Sequence, residues 1–365
     1  MEILKIIDIK TSLITVPLKK PFKTALRTAY SIENILVEVV TDSGNTGYGE
    51  APPTGVITGD TTLGIIGAIK ENIKPQLTGL KIENIEEIMI KLNNSIVRNT
   101  SAKAAVDIAI YDLYGQLYNA SIYKLFGAYK KEIITDLTIS VNSPEEMAKD
   151  SLDAVDSGYN ILKIKVGKDA KIDFQRIKAI RKVVGSKIKL RIDANQGWSC
   201  KEAINILRKM EDAGLDIELV EQPVRADDIE GLKKITDNVY IPVVADETVF
   251  SPHDALNVMQ KRAIDMINIK LMKTGGLYNA LKICSMAETY GIKCMIGSML
   301  ETKISVTAAA HLAAAKSVIT KVDLDSPMLC TYDPISGGIL YNNCKITINE
   351  DPGFGFGKID PVALK

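Results

Sequence analysis

Lys163-Ile164-Lys165-Val166-Gly167 begins a series that decides the fold of this chain. It continues through Ile192-Asp193-Ala194-Asn195, Val220-Glu221-Gln222-Pro223, Ala245-Asp246-Glu247 and Asn268-Ile269-Lys270-Leu271-Met272-Lys273. Each member closes an apolar, strand-like run with a charged residue. From Lys165 through Asp193, Glu221 and Asp246 to Lys270 the gaps are 28, 28, 25 and 24 residues. Another apolar run ends near Ser298 and a last one near Asp323 and Asp325. A steady gap of this size accommodates one strand, one helix and two loops.

Outward from this series the same rhythm holds. Strand-like runs cover 133–141, 161–166, 188–193, 217–221, 241–245, 266–270, 293–297 and 321–325. Ser143-Pro144-Glu145-Glu146 and Ser199-Cys200-Lys201-Glu202 read as capping boxes, and Ser251-Pro252 as a cap followed by proline at the first helical position. Eight strands alternating with helices predict a closed parallel α/β barrel, with an open doubly wound sheet as the alternative. Before it, residues 1–50 read as strands around the turn Asp42-Ser43-Gly44-Asn45. Residues 60–125 read as helices, and Gly127 suits the end of the last one. The expected division is an α+β capping domain over 1–126, a barrel over 127–340, and a segment over 341–365 that returns to the capping domain. The tail's Gly353-Phe354-Gly355-Phe356-Gly357 lacks the Lys-Ser/Thr of a phosphate loop and reads as a surface connection.

Bulk composition excludes several function classes. Lys plus Arg and Asp plus Glu are equal at 45 each, so no net field draws nucleic acid or an anionic membrane. Five scattered cysteines without a CxxC pair suggest reduced thiols. Only two histidines are present, which argues against a histidine-based metal site or triad. The N-terminus lacks the apolar core of a signal peptide, and no apolar run approaches the ~20 residues of a membrane span. A cytoplasmic location is expected.

In a barrel, strand C-termini converge on one mouth. A single strand-end carboxylate caps a helix or is solvated. Asp193, Glu221 and Asp246 on successive strands would repel one another without a shared cation, and all-oxygen donors suit Mg2+. Asn195 stands two residues beyond Asp193 and is expected to support it. Lys163 and Lys165 share one strand face, and Lys270 is expected across the mouth. A lysine base working near neutral pH must lose about 3 units from ~10.4, roughly 4 kcal/mol, which lysine–lysine repulsion and a dication can supply.

The Lys-x-Lys, Asp, Glu, Asp, Lys series, with Val-Glu-Gln-Pro, Ala-Asp-Glu, Ile-Lys-Leu-Met-Lys-Thr-Gly-Gly and the segment Ala102–Leu113, resembles the enolase superfamily in its muconate lactonising subgroup. The resemblance covers essentially the whole chain. It implies a capping domain on a (β/α)7β barrel and Mg2+-assisted removal of a proton alpha to a carboxylate. By position, Lys165 and Lys270 resemble the acid/base pair, Lys163 a flanking cation, and Asp193, Glu221 and Asp246 the ligands of one Mg2+ per subunit. The family often forms even-numbered homo-oligomers, though nothing in this sequence specifies one.

Two opposed bases permit epimerisation, but cycloisomerases and succinylbenzoate synthases share them. Val322-Asp323-Leu324-Asp325-Ser326-Pro327 narrows the choice. Its Asp-x-Asp resembles the dipeptide epimerases, which implies that Asp323 and Asp325 hold a dipeptide ammonium. The loop Pro21–Thr28, with Arg27, and the stretch Ala51–Asp60 resemble the alanyl-glutamate epimerases. They imply that Arg27 grips a side-chain carboxylate and that the substrate is L-Ala-D/L-Glu. Ser298 lines the pocket or caps a helix ahead of Glu301. Rival readings are another dipeptide preference, a non-catalytic binding barrel, and a Schiff-base aldolase using Lys165.

Overall fold

A computed structural model describes residues 4–24 and 27–364. Ala25 and Leu26, within the loop expected to read the substrate side chain, lie outside the described residues. The chain opens with three antiparallel strands, β1 (Ile6–Lys23), β2 (Thr28–Thr41) and β3 (Thr46–Ala51). The helix Thr100–Leu117 packs across β3 and is buried on nearly every face. Its alanines allow that approach. A side chain at Gly47 or Gly49 of β3 would collide with the carbonyls of Ala109 or Ala105. The last part of the helical stretch expected over 60–125 forms two helices, Thr100–Leu117 and Ile122–Phe126. The chain turns between them at Asn119, whose φ is 48°. Gly127, with φ 126°, ends the second.

The run 133–141 splits. Its first half, β4 (Glu132–Ile134), pairs outside the barrel with a C-terminal hairpin, and its second half, β5 (Leu137–Ile139), opens the barrel. Asp136 sits in the break with its carboxylate buried against Arg191, 2.7 Å away. Then follow β6 (Ile161–Lys165), β7 (Lys189–Asp193), β8 (Ile217–Glu221), β9 (Val243–Ala245), β10 (Met266–Lys270), β11 (Lys293–Gly297) and β12 (Ile319–Asp323). These eight form one sheet in sequence order, every described pairing parallel. Thr135 Oγ1 accepts from Leu324 N, and Asp325 accepts from Thr138 N, which draws the two edges together into a nearly closed barrel. The α/β barrel expectation holds, and the open-sheet alternative does not.

Ser199 and Glu202 form a complete capping box, whereas Ser143 accepts from Glu146 N without the reciprocal bond. After β12 come β13 (Ile335–Gly337), β14 (Leu340–Asn342), β15 (Lys345–Thr347) and β16 (Phe356–Ile359). The Gly-Phe-Gly-Phe-Gly tail is not a surface connection. Phe354 is fully buried edge-on against His311, with its N–H donating to Asp112. Aromatic burial outweighs what the flanking glycines cost in order.

The long β1–β2 ribbon positions the site. Its far end packs Val16, Leu18 and Ile32 against Leu300 and Cys330 of the barrel, and Phe22, Thr24 and Arg27 line the cavity there. Glu50 of β3 is clamped to the start of the helix Lys303–Ala315, accepting from Thr302 N and Oγ1 and from Ser305 Oγ. A buried carboxylate at a helix N-terminus with several donors is a strong tie between the two parts.

Candidate active site

Strand ends deliver the charged residues to one place. Lys165, Asp193, Glu221 and Lys270 are the last residues of β6, β7, β8 and β10, and Asp246 follows β9 directly. In an eight-strand ring β6 and β10 stand four places apart, so Lys165 and Lys270 approach from opposite sides. Both line one cavity, together with Lys163, Asp323, Asp325, Ser298 and Arg27. The structure thus brings seven of the ten expected residues to the cavity wall and sets the three expected metal ligands beneath it, each fully buried.

Paired charges dominate the floor. Lys165 Nζ donates to Asp193 Oδ2 at 2.6 Å and Lys270 Nζ to Asp246 Oδ2 at 2.6 Å. Lys163 Nζ stands among Asp323, Glu221 and Asp193 at 2.6, 2.8 and 3.2 Å. Burial opposes the charge on Lys270, but Asp246 and Glu221 outweigh it and hold the ammonium above its ordinary range. Lys163 is likewise held well up against burial, chiefly by Asp323, Glu221 and Asp193. The expected lowering relies on a dication as well as on lysine–lysine repulsion, and without the dication the carboxylates dominate. The carboxylates lie closer to each ammonium than any opposing positive charge does.

Excess negative charge shows in the carboxylates. Burial, then Asp193, push Glu221 up to about 7. Burial, then Asp246 and Asp193, push Glu247 up to about 8. Asp325 rises to about 6 through burial and the adjacent Asp323. Asp193, despite burial, is held at about 2 by Lys165 and Lys163. Asp193, Glu221, Asp246, Glu247, Asp323 and Asp325 are six buried acids against the four buried ammoniums of Lys163, Lys165, Lys270 and Lys273. As they stand, no group of three or more His, Cys, Asp or Glu among the described residues is arranged to hold a metal ion, their oxygens being turned to lysines. The donor set itself, three carboxylates converging from neighbouring strands with unbalanced charge, fits a hard cation such as Mg2+.

Around this floor, Asn195 Nδ2 donates to Glu247 Oε1 and its backbone N–H to Asp193 Oδ1. Asn195 lies beyond the strand, with φ 42°. Asn268 Nδ2 donates to Glu221 Oε1 at 2.9 Å. Lys273 lies 2.7 Å from Asp246 Oδ1 and also donates to the backbone carbonyl of Asp246. Lys273, Glu247 and Asn268 were not anticipated. Lys273 had a signal, one helical turn past Lys270, and Glu247 another, beside Asp246.

Two expectations shift at the rim. The last strand is Ile319–Asp323 rather than 321–325, so Asp325 precedes the short helix Ser326–Leu329 instead of sharing the strand. It reaches the cavity because Thr138 N donates to its Oδ2 at 2.6 Å. Ser298 caps no helix. The next one starts at Lys303 with Thr302 as its cap, and Ser298 lines the cavity. Arg27 is tied to Thr24, whose N–H donates to Arg27 O and whose Oγ1 accepts from Arg27 N. No acidic side chain pairs with Arg27 among the described residues, and burial lowers its proton affinity.

Residues 146–360 match the family described as Enolase C-terminal domain-like, and residues 6–127 match the Mandelate racemase / muconate lactonizing enzyme, N-terminal domain. A relative from Clostridium acetobutylicum, named L-Ala-D/L-Glu epimerase, is 59% identical over 353 residues, 97% of this chain and 99% of its own. The substrate-liganded structure of the L-Ala-D/L-Glu epimerase from Bacillus subtilis superimposes with a TM-score of 0.96 at 52% identity, covering 98% of this chain and 99% of the other. A dipeptide epimerase from Enterococcus faecalis, solved with Mg and the dipeptide L-Leu-L-Tyr, gives 0.94 at 42% identity over 97% of this chain and 100% of its own.

Proposed function

Since the chain belongs to the mandelate racemase / muconate lactonizing enzyme family, with its enolase-like C-terminal domain, we propose that it is a Mg2+-dependent dipeptide epimerase. It inverts the alpha carbon of the C-terminal residue, and its substrate is L-Ala-D/L-Glu. The observation that carries this reading is the pair Lys165 and Lys270, brought from opposite strands to one cavity whose rim bears Asp323, Asp325 and Arg27.

Asp193, Glu221 and Asp246 would hold the Mg2+. When bound, that ion supplies positive charge to the substrate's terminal carboxylate and so makes the neighbouring C–H more acidic. One lysine begins neutral and takes the proton from the alpha carbon, while the other begins as an ammonium and returns one to the opposite face. The two exchange roles for the reverse reaction. Lys163 adds a fixed positive charge beneath the carboxylate. Asp323 and Asp325 receive the dipeptide's ammonium, and Ser298 lines the path between. The guanidinium of Arg27, without an acidic partner among the described residues, suits the glutamate side chain. That free charge favours an acidic over an apolar substrate side chain.

We also assign residues 1–126 to the capping unit, 127–340 to the catalytic barrel and 341–365 to the returning segment. A cytoplasmic site of action suits five unpaired cysteines, and no helix among the described residues is long and apolar enough to cross a membrane.

Incubating L-Ala-L-Glu with the protein and Mg2+ in deuterated water tests the reading. Mass spectrometry should find one deuterium, at the glutamate alpha carbon, and chiral chromatography should find L-Ala-D-Glu. A glutamate that gains no deuterium would sink the proposal.

A further inference from the structure

A second cavity, of about 590 Å³, lies beside the first between the capping helices and the barrel. On the capping side it is lined by Thr58, Asn93, Arg98, Thr100 and Lys103, and on the barrel side by Phe250, Ser251, Asp254, Thr274 and Asn279. Ile57 lines both cavities. Nothing in the proposed epimerisation uses this space.

Its charge is unusual. Lys103 is 7% exposed, and its ammonium makes one hydrogen bond, to the carbonyl of Asn93 at 2.7 Å. No carboxylate pairs with it among the described residues. A buried ammonium is ordinarily paired, because leaving it alone costs several kcal/mol. Arg98, an exposed residue at the edge of the same space, has neither an ion pair nor a side-chain hydrogen bond among the described residues. It is held in the left-handed region at φ 56°. The one acid among the described lining residues, Asp254, accepts from Phe250 N and Ser251 Oγ at 3.1 and 2.8 Å, both at Oδ2. Two cations with spare donors thus meet a roomy cavity against a single carboxylate among its described lining residues.

We propose that this cavity is a binding site for a small oxyanion-bearing molecule, a carboxylate or phosphate, held between the guanidinium of Arg98 and the ammonium of Lys103. Arg98 offers a planar fork and Lys103 a desolvated point charge, a combination suited to tetrahedral or planar oxyanions. The hydroxyl of Thr100 adds a further donor beside them. The site is independent of the catalytic assignment, because none of its polar residues lines the first cavity.

Isothermal titration with inorganic phosphate, and separately with succinate, tests the site on the full chain. The anions also have cations to meet in the catalytic cavity, so the discriminating comparison is with Arg98→Asn. Asparagine tolerates the left-handed backbone and removes only the charge. The expected result is saturable binding of at least one anion, weakened tenfold or more by Arg98→Asn and also by Lys103→Met, with unchanged dipeptide turnover for Arg98→Asn without added anion. Phosphate bound alone points to a phosphate ligand, and succinate bound alone to a carboxylate. Equal affinity in wild type and Arg98→Asn, or no binding of either anion, would overturn the proposal. Because the readout is binding, it stands or falls apart from the epimerase reading.

Discussion

Arg27 is the residue on which substrate choice turns. Its guanidinium stands at the cavity without an acidic partner among the described residues, and burial weakens its hold on its own proton. A ligand carboxylate would remove that disadvantage. A charge-assisted pair of this kind contributes roughly 1.5–3 kcal/mol, or about 10- to 100-fold. Arg27→Gln is therefore expected to lower kcat/KM for L-Ala-L-Glu by that factor, mostly through KM, while changing turnover of L-Ala-L-Leu less than threefold. Steady-state kinetics on the two dipeptides decide it, and parallel losses on both would remove Arg27 from the specificity role. The residues proposed to touch the reacting centre stand out in the sequence because such chemistry demands particular side chains at strand ends. Those behind them do not. Thr138 holds Asp325 through its backbone N–H as well as its side chain, and a threonine within a strand-like run announces neither. Glu50 meets the barrel only because two distant segments fold together.

At the scale of elements, periodicity located the strands but not the breaks. The run 133–141 alternates apolar residues with threonine, aspartate and serine and so reads as one strand. It divides because Asp136 must turn inward to Arg191. The helix Lys303–Ala315 shows how an element can be tied by one buried group. Its His311 is fully buried, accepts from Tyr123 N through Nδ1 at 3.2 Å, and meets Phe354 edge-on at 5.1 Å. Burial holds its pKa down at about 3, against 6.5 for the free side chain. The unfolded chain therefore binds a proton below pH 6.5 that the folded chain refuses until about pH 3. Stability from this group is complete above 6.5 and falls as pH drops, by about 1.4 kcal/mol per unit. His311→Asn keeps an acceptor for Tyr123 and cannot titrate. Urea midpoints measured from pH 7 to 4 should fall less steeply for the variant, by about that slope. Parallel curves would show that His311 titrates normally in the folded protein.

For the molecule as a whole, the excess of buried acids over buried ammoniums is a folding problem as well as a catalytic device. Glu221 and Glu247, pushed up to about 7 and 8, record how strongly the folded barrel resists that charge. A ligand that binds the folded state alone stabilises it by mass action, about 2.7 kcal/mol when its concentration is 100 times its Kd. At roughly 2–4 °C per kcal/mol for a large domain, Mg2+ should raise Tm by several degrees, and a chelator should reverse the rise. Asp246→Asn removes one donor and leaves Lys270 and Lys273 without their partner, so its baseline Tm falls whatever the metal does. The informative quantity is accordingly the difference with and without Mg2+ within each protein. Differential scanning calorimetry should give a shift of at least about 3 °C in wild type and under about 1 °C in the variant. Calcium, larger and content with more ligands, should shift wild type less if the three carboxylates form a compact octahedral half-site. A wild-type Tm indifferent to Mg2+ at millimolar concentration would mean that the lysines, not a metal, neutralise this floor.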